Sequence, residues 1–243
     1  MKTKTMLFLL LLGACQEGPN PETLVDDLLV IAAVADPPRV AEDAPWSLAV
    51  YVADPRNRGG PVLLWSCDMA GSCDTQLVSP EDEIASADMV GLGGPTLWLM
   101  ACAPDICDLV DVAPADLLDP VQWMTRLPLD GVSLAAREVR LADPAEAAPA
   151  TNPALTAEPE DGWSDTMAPG DSYDLAFSAP GAARAWGYST AGGFRTPVED
   201  IATDGSVELT WIAPETGAET RLYVVFEDDD GGTTVWRGDA SIQ

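Results

Sequence analysis

The chain has 243 residues, 47% of them apolar, with 12 Lys plus Arg against 40 Asp plus Glu and no histidine. A formal charge of −28 makes a strongly acidic surface, which argues against nucleic acid and anionic headgroups as partners. The missing histidine excludes a Ser-His-Asp triad, a Cys-His pair and imidazole metal ligands. Both lysines, Lys2 and Lys4, lie at the start of the chain, which removes Schiff-base and P-loop chemistry from the rest.

Lys2 and Lys4 precede an apolar run, Met6 to Leu12, followed by Gly13, Ala14 and Cys15. A basic start, a short apolar core and small residues before a processing point make a secretory signal peptide. The run falls far short of the ~20 residues that span a bilayer. The stretch Leu12-Gly13-Ala14-Cys15 resembles the lipobox of bacterial lipoproteins. That resemblance implies loss of residues 1–14 and acylation of Cys15, with a diacylglyceryl group and palmitate-type chains. The anchor makes the membrane a partner, and Gln16 suits sorting to the outer membrane of a Gram-negative envelope. The mature chain would then have 229 residues, ten arginines and no lysine, and would carry a charge of −30 against its forty acids. Residues 15–23, with Gly18, Pro19 and Pro21, read as a polar lipidated tether.

A first domain is expected over residues 24–143. Leu24 to Val34 is an apolar run stopped by Asp36-Pro37-Pro38 and reads as a strand. Trp46, Leu48, Val50 and Val52 alternate with Ser47, Ala49, Tyr51 and Ala53, the pattern of a half-buried strand. Val62 to Cys67 and Thr96 to Cys102 are two more. The polar, Gly-rich stretch 68–94 reads as loop with one short strand at most. Pro114 to Leu118 and Asp119 to Leu127 read as a short helical insertion, with Asp119 as N-cap and Pro120 at the first helical position. Val132 to Leu141 closes the domain as a strand or a helix. Residues 144–152, rich in Ala and Pro, have little to bury and read as a linker.

The second domain, 153–243, has the clearest pattern. Tyr173, Leu175 and Phe177 point one way and Asp174, Ala176 and Ser178 the other. The same period of two runs through Val207–Ile212 and Leu222–Glu227. Asp229-Asp230-Gly231-Gly232 then predicts a tight hairpin to Thr233–Ile242. Three such runs separated by Pro, Gly and Asp clusters signal an antiparallel sandwich.

These stretches (APGDSYDLAFSAP, SVELTWIAP and RLYVVFEDDDGGTTVWRGDASI) resemble the Ig-like and PKD-like modules of bacterial surface proteins. The match covers Ala168 to Gln243 and extends loosely to the first domain through PPRVAEDAPWSLAVYVADP and PVLLWSC. It implies an all-β chain of two Ig-like antiparallel sandwiches in tandem, with Trp65 and Trp186 in the place of the buried sandwich tryptophan. The second domain has no cysteine and so no bridge across its sheets. Fold alone does not assign function.

Four cysteines remain beside Cys15: Cys67, Cys73, Cys102 and Cys107. An even count in an exported protein reads as two disulfides. Two pairings compete, Cys67–Cys73 with Cys102–Cys107, or Cys67–Cys102 with Cys73–Cys107. The gaps are five and four residues, where a Cys₄ zinc site usually has two to four, and oxidising export disfavours such a site further. Asp228, Asp229 and Asp230 beside Gly231 form the one calcium candidate, but they fail the EF-hand pattern, and Asp and Gly are what a tight turn requires anyway. Trp65, Trp186 and Trp211 lie on apolar faces and read as core, which leaves Trp98, Trp163 and Trp236 as candidates for stacking on sugars. The function expected is a membrane-anchored cell-envelope lipoprotein without catalytic residues or a resident cofactor, acting as a binding, spacer or adhesion element toward a protein or glycan. The alternatives are a calcium- or carbohydrate-binding surface module and a carboxylate-dependent glycosidase, for which no acid pair can be singled out.

Overall fold

The computed structural model describes residues 19–40, 44–67, 73–90, 96–104, 132–138, 140–141, 151–159 and 167–243. These residues are all-β, with sixteen strands numbered here in chain order. In the first sandwich, β1 (Leu29–Asp36), β3 (Pro45–Ala53) and β6 (Ile84–Val90) form one sheet in the order β1-β3-β6. The second sheet holds β4 (Val62–Cys67), β5 (Cys73–Val78), β7 (Thr96–Cys102) and β8 (Val132–Glu138) in the order β5-β4-β7-β8. After Pro37 and Pro38 the chain crosses from the first sheet, and β2 (Arg39–Val40) runs parallel to β9 (Arg140–Leu141).

The second sandwich repeats this plan. One sheet is β10 (Ser172–Ser178), β14 (Ser206–Ile212) and β12 (Gly193–Phe194), in the order β10-β14-β12. The other is β13 (Val198–Asp200), β11 (Arg184–Ser189), β15 (Glu219–Glu227) and β16 (Thr233–Ser241), in the order β13-β11-β15-β16. A parallel bridge from Met167 to Ile242 stands where β2 and β9 pair in the first sandwich. In each unit the chain crosses repeatedly from one sheet to the other, as in the Greek-key sandwiches of immunoglobulin type.

Alternation builds each core. Trp46, Leu48, Val50 and Val52 of β3 turn inward onto Leu64, Leu99 and Ala101 of the facing sheet. In the second unit Leu175, Phe177, Leu209 and Trp211 meet Leu222, Val224 and Phe226. Phe177 packs edge-on against both Phe226 and Trp236, with ring centroids 5.3 and 5.1 Å apart. Each large side chain buried in this way contributes about 1.5–3 kcal/mol before conformational entropy is subtracted.

A third core lies between the two sandwiches. Val25, Ile31 and Ala53 of the first unit pack on Tyr223 and Val225 of the second, flanked by Tyr51, Trp186, Tyr188 and Val235. The β1-β3-β6 sheet is therefore laid against the outer face of the β13-β11-β15-β16 sheet, and among the described residues the four larger sheets stack with three apolar seams. Strand β15 is buried on both faces: Leu222, Val224 and Phe226 serve one seam, Tyr223 and Val225 the next.

The structure corrects four expectations. The stretch 68–94 holds two strands, β5 and β6, joined by a turn at Glu81–Ile84 that needs no glycine. The first strand begins at Leu29, because Pro21–Thr23 forms a 3-10 turn capped by Asn20. Residues 20–23, expected in a free tether, are docked on the second sandwich, where Asn20 N–H donates to Phe194 O at 2.8 Å. Trp186 faces the seam between the sandwiches rather than its own sandwich core, and Trp211 and Trp236 take that place. The stretch 132–141 is strand, β8 and β9. The helical turns expected at 114–118 and 119–127, and linker residues 144–150, lie outside the described residues.

Candidate functional site

The seam between the sandwiches has a polar rim at one end, and it is built from a strained turn. Between β5 and β6, Glu81 and Ile84 exchange two backbone hydrogen bonds of 3.0 Å, which leaves Asp82 and Glu83 as the two central residues of a tight hairpin. Both have positive φ, 50° and 66°, a region that non-glycine residues enter at a cost of order 1–3 kcal/mol. The turn aims two carboxylates at the second sandwich. Glu83 receives the Tyr223 hydroxyl and a salt bridge of 2.6 Å from Arg221, whose Nε donates to Asp239 at 2.9 Å. Asp82 is held by Arg237, with 2.6 Å to its carbonyl and 2.5 Å to its carboxylate.

The electrostatics follow from this geometry. Burial pushes the Tyr223 phenol well above its ordinary value, and the Glu83 carboxylate adds to the shift. Burial opposes the charge on Arg221, but its bonds to Glu83 and Asp239 outweigh that, and its pKa is raised. The hydrogen bond and charge of Arg237 hold Asp82 below the usual carboxylate value.

Two further clasps tie the units together. At the opposite end Asn152 bridges them, donating to Ala35 O at 2.8 Å and accepting from Thr233 N–H at 2.8 Å. Arg39 meets Asp230 there at 2.5 Å. At the rim end, Thr23 is fully buried; its hydroxyl donates to Asn20 O at 2.7 Å and accepts from Phe194 N–H at 2.9 Å. Gly193 makes room for this docking, since a Cβ there would stand 2.8 Å from the Pro19 ring and 3.0 Å from Thr23 Oγ1.

A cleft of about 530 Å³ opens beside the rim, lined among others by Leu28, Asp54, Gly60, Leu77, Glu83 and Arg221. Asp54 Oδ2 accepts from Gly59 N–H at 2.8 Å, and its buried Oδ1 has no partner. With Glu83 committed to Arg221 and Tyr223 and Asp82 to Arg237, this chemistry suits holding two sheets in register.

The residues expected to form sites are scattered. Cys15, Cys107 and Trp163 lie outside the described residues, and the side chains of Trp65 and Trp98 are likewise not described. Cys67 and Cys73 stand directly opposite each other across the β4–β5 pair. Cys102 is at the far end of β7: Val62 pairs with Ala101 and Ser66 with Leu97, so six strand residues, about 20 Å, separate Cys67 from Cys102 in register. A disulfide spans Cα atoms only about 4.4–6.8 Å apart, which rules out the Cys67–Cys102 pairing. Asp228 works for its own hairpin, with Oδ1 accepting from Asp230 N–H at 2.8 Å and Gly232 N–H at 2.7 Å. Asp230 turns to Arg39. Among the described residues no group of three or more His, Cys, Asp or Glu side chains is arranged to hold a metal ion. No helix there is long and apolar enough to cross a membrane. Sequence reasoning missed Asp82, Glu83, Tyr223, Arg221 and Asn152. The apolar outer face of β15, Tyr223 and Val225, was the available signal, because a solvated face would not carry them.

No protein-family model matches the chain, and no curated protein matches it. Among solved structures, a marsupial T cell receptor is similar at 9% identity and a TM-score of 0.26, over 89% of this chain and 72% of that one. An Escherichia coli alpha-2-macroglobulin activated by porcine elastase is similar at 9% identity and a TM-score of 0.27, over 84% of this chain and 22% of that one. Likenesses this weak carry no argument, and the fold rests on strand order and register: the chain is an all-β protein of two Ig-like sandwiches.

Proposed function

We propose that this chain is a cell-envelope lipoprotein, anchored through Cys15 in the outer membrane of a Gram-negative bacterium, in which two locked sandwiches act as a stiff, non-catalytic spacer or binding element. The observation that carries the spacer reading is the buried seam of Ile31, Ala53, Tyr223 and Val225. Modules joined only by a linker rotate freely, whereas an apolar seam with a satisfied polar rim holds a fixed angle. The acidic coat keeps such an element soluble and discourages self-association. Export through the signal peptide supports two disulfides. Cys67 and Cys73 stand opposite each other in register, and Cys102 is buried and far along β7 from both, which favours the pairing of Cys67 with Cys73 and of Cys102 with Cys107.

Metabolic labelling with a clickable palmitate analogue tests the anchor. The wild-type chain takes up the label and sediments with membranes, and Cys15→Ser does neither. A wild-type chain without label, or label retained in Cys15→Ser, overturns the lipoprotein reading.

A further inference from the structure

From the docked N-terminal segment we infer that the rim end of the four-sheet stack rests on the lipid surface, so that the stack stands end-on to the membrane instead of roaming on a tether; this rests on acylation of Cys15. Chain length carries the argument. A free tether from Cys15 to Thr23 would reach about 28 Å when fully extended. Docking removes half of it. Pro19 seats on Gly193, Asn20 N–H is bonded to Phe194 O, and Val25 N–H to Ser189 O at 2.8 Å. Only the four steps from Cys15 to Pro19 remain, at most about 14 Å, less than the length of one strand of the stack.

The surface brought down by this leash is the end where β11 passes to β12 and β14 to β15. It also carries the Asp54–Pro61 loop and the Asp82–Glu83 turn, because Leu28, Asp54, Glu83 and Arg221 line one cleft. Among the described residues the exposed large apolar side chains are Leu24, 43% exposed, and Leu77, 63% exposed. Both belong to this end: Leu24 bridges to Ser189, and Leu77 lines that cleft. Leucine side chains gain by entering the headgroup boundary, while Arg56 and Arg58 are both paired with Asp27. With acids such as Glu22, Glu215 and Glu219 nearby, the surface fits a zwitterionic leaflet and not an anionic one. Strand β14, seven residues and about 20 Å long, lifts the other end clear.

The test uses the lipidated full-length protein in phosphatidylcholine vesicles that carry an acceptor dye on some headgroups. A donor dye is clicked onto an unnatural residue replacing exposed Thr216, at the rim end, or exposed Thr203, at the other. Energy transfer should be at least about twofold stronger from position 216, given the extra strand length. Inserting twelve Gly/Ser residues between Gly18 and Pro19, which leaves every described contact in place, should bring the two signals together, as should Gly193→Val, which displaces Pro19. Equal transfer from both positions in the wild type, or stronger transfer from 203, overturns the orientation while leaving the anchor standing. A wild-type protein that fails to float with the vesicles overturns the anchor, and the orientation with it.

Discussion

Tyr223 of the second sandwich donates its hydroxyl to the Glu83 carboxylate of the first, and it does so from a side chain that is otherwise fully buried. The pair joins the apolar seam to its polar rim. A buried hydrogen bond to a charged acceptor contributes about 1.5–3 kcal/mol, and removing the donor leaves the carboxylate short of a partner. Tyr223→Phe should therefore lower the unfolding free energy by about 1–3 kcal/mol in urea titrations. In a double-mutant cycle with Glu83→Gln the two losses should not add. Additive losses would mean that the contact does not couple the units.

The same pair predicts an alkaline limit. Because the folded-state phenol of Tyr223 is raised, its contribution is fully present below the ordinary tyrosine value near pH 10 and is lost as pH rises from there toward the folded-state value. The stability difference between wild type and Tyr223→Phe should be flat from neutral pH to about 10 and shrink above it. Asp82 works in the opposite sense. Its lowered value makes the Arg237 pairing present above the ordinary carboxylate range and lost as pH falls through the folded-state value, so Asp82→Asn should blunt the acid limb. Fluorescence-detected unfolding against pH checks both limbs.

Docking of the N-terminal segment should depend on Thr23. Thr23→Val keeps the shape but leaves the buried Phe194 N–H without its acceptor, a loss of about 1–3 kcal/mol. Amide hydrogen exchange should show faster exchange at Asn20, Val25 and Phe194, with β14 unchanged. Uniform acceleration through both sandwiches would indicate general destabilisation and not undocking.

Period two made much of this fold legible. Trp46–Val52 and Val207–Ile212 were read close to their true bounds because a more exposed and an apolar face leave a clean alternation, and Thr96–Cys102 and the β15–β16 hairpin because short apolar runs end at turn residues. The Asp82–Glu83 turn was not, since left-handed turns announce themselves through Asn and Gly, and this one is instead stabilised by Arg221, Arg237 and Tyr223 from more than a hundred residues away. Trp186 was misplaced for a related reason: alternation says that a residue shares a face, not whether that face looks into its own sandwich or at a neighbour. Docking of residues 20–25 depends on Phe194 and Ser189, partners that no local pattern around Pro21 reveals.

For the cysteines, non-reducing peptide mapping should return Cys67 linked to Cys73 and Cys102 linked to Cys107. Bridging Cys67 to Cys102 would require β4 and β7 to slide by about six residues, so that peptide would refute the β4–β7 register itself.

At the other end of the stack, Asp228→Ala should destabilise by about 1–2 kcal/mol through its two lost turn bonds. If the carboxylate serves the turn alone, the loss is the same with millimolar calcium as with chelator. Thermal melts under both conditions read this directly.

The claim on which the rest depends is that the seam makes one body of two sandwiches. Differential scanning calorimetry of the mature chain, with its disulfides intact, tests it most directly. The account predicts a single transition whose van't Hoff and calorimetric enthalpies agree, and an Ile31→Asp variant, with a charge placed in the seam, that splits into two. Two separate transitions in the wild-type chain would contradict it.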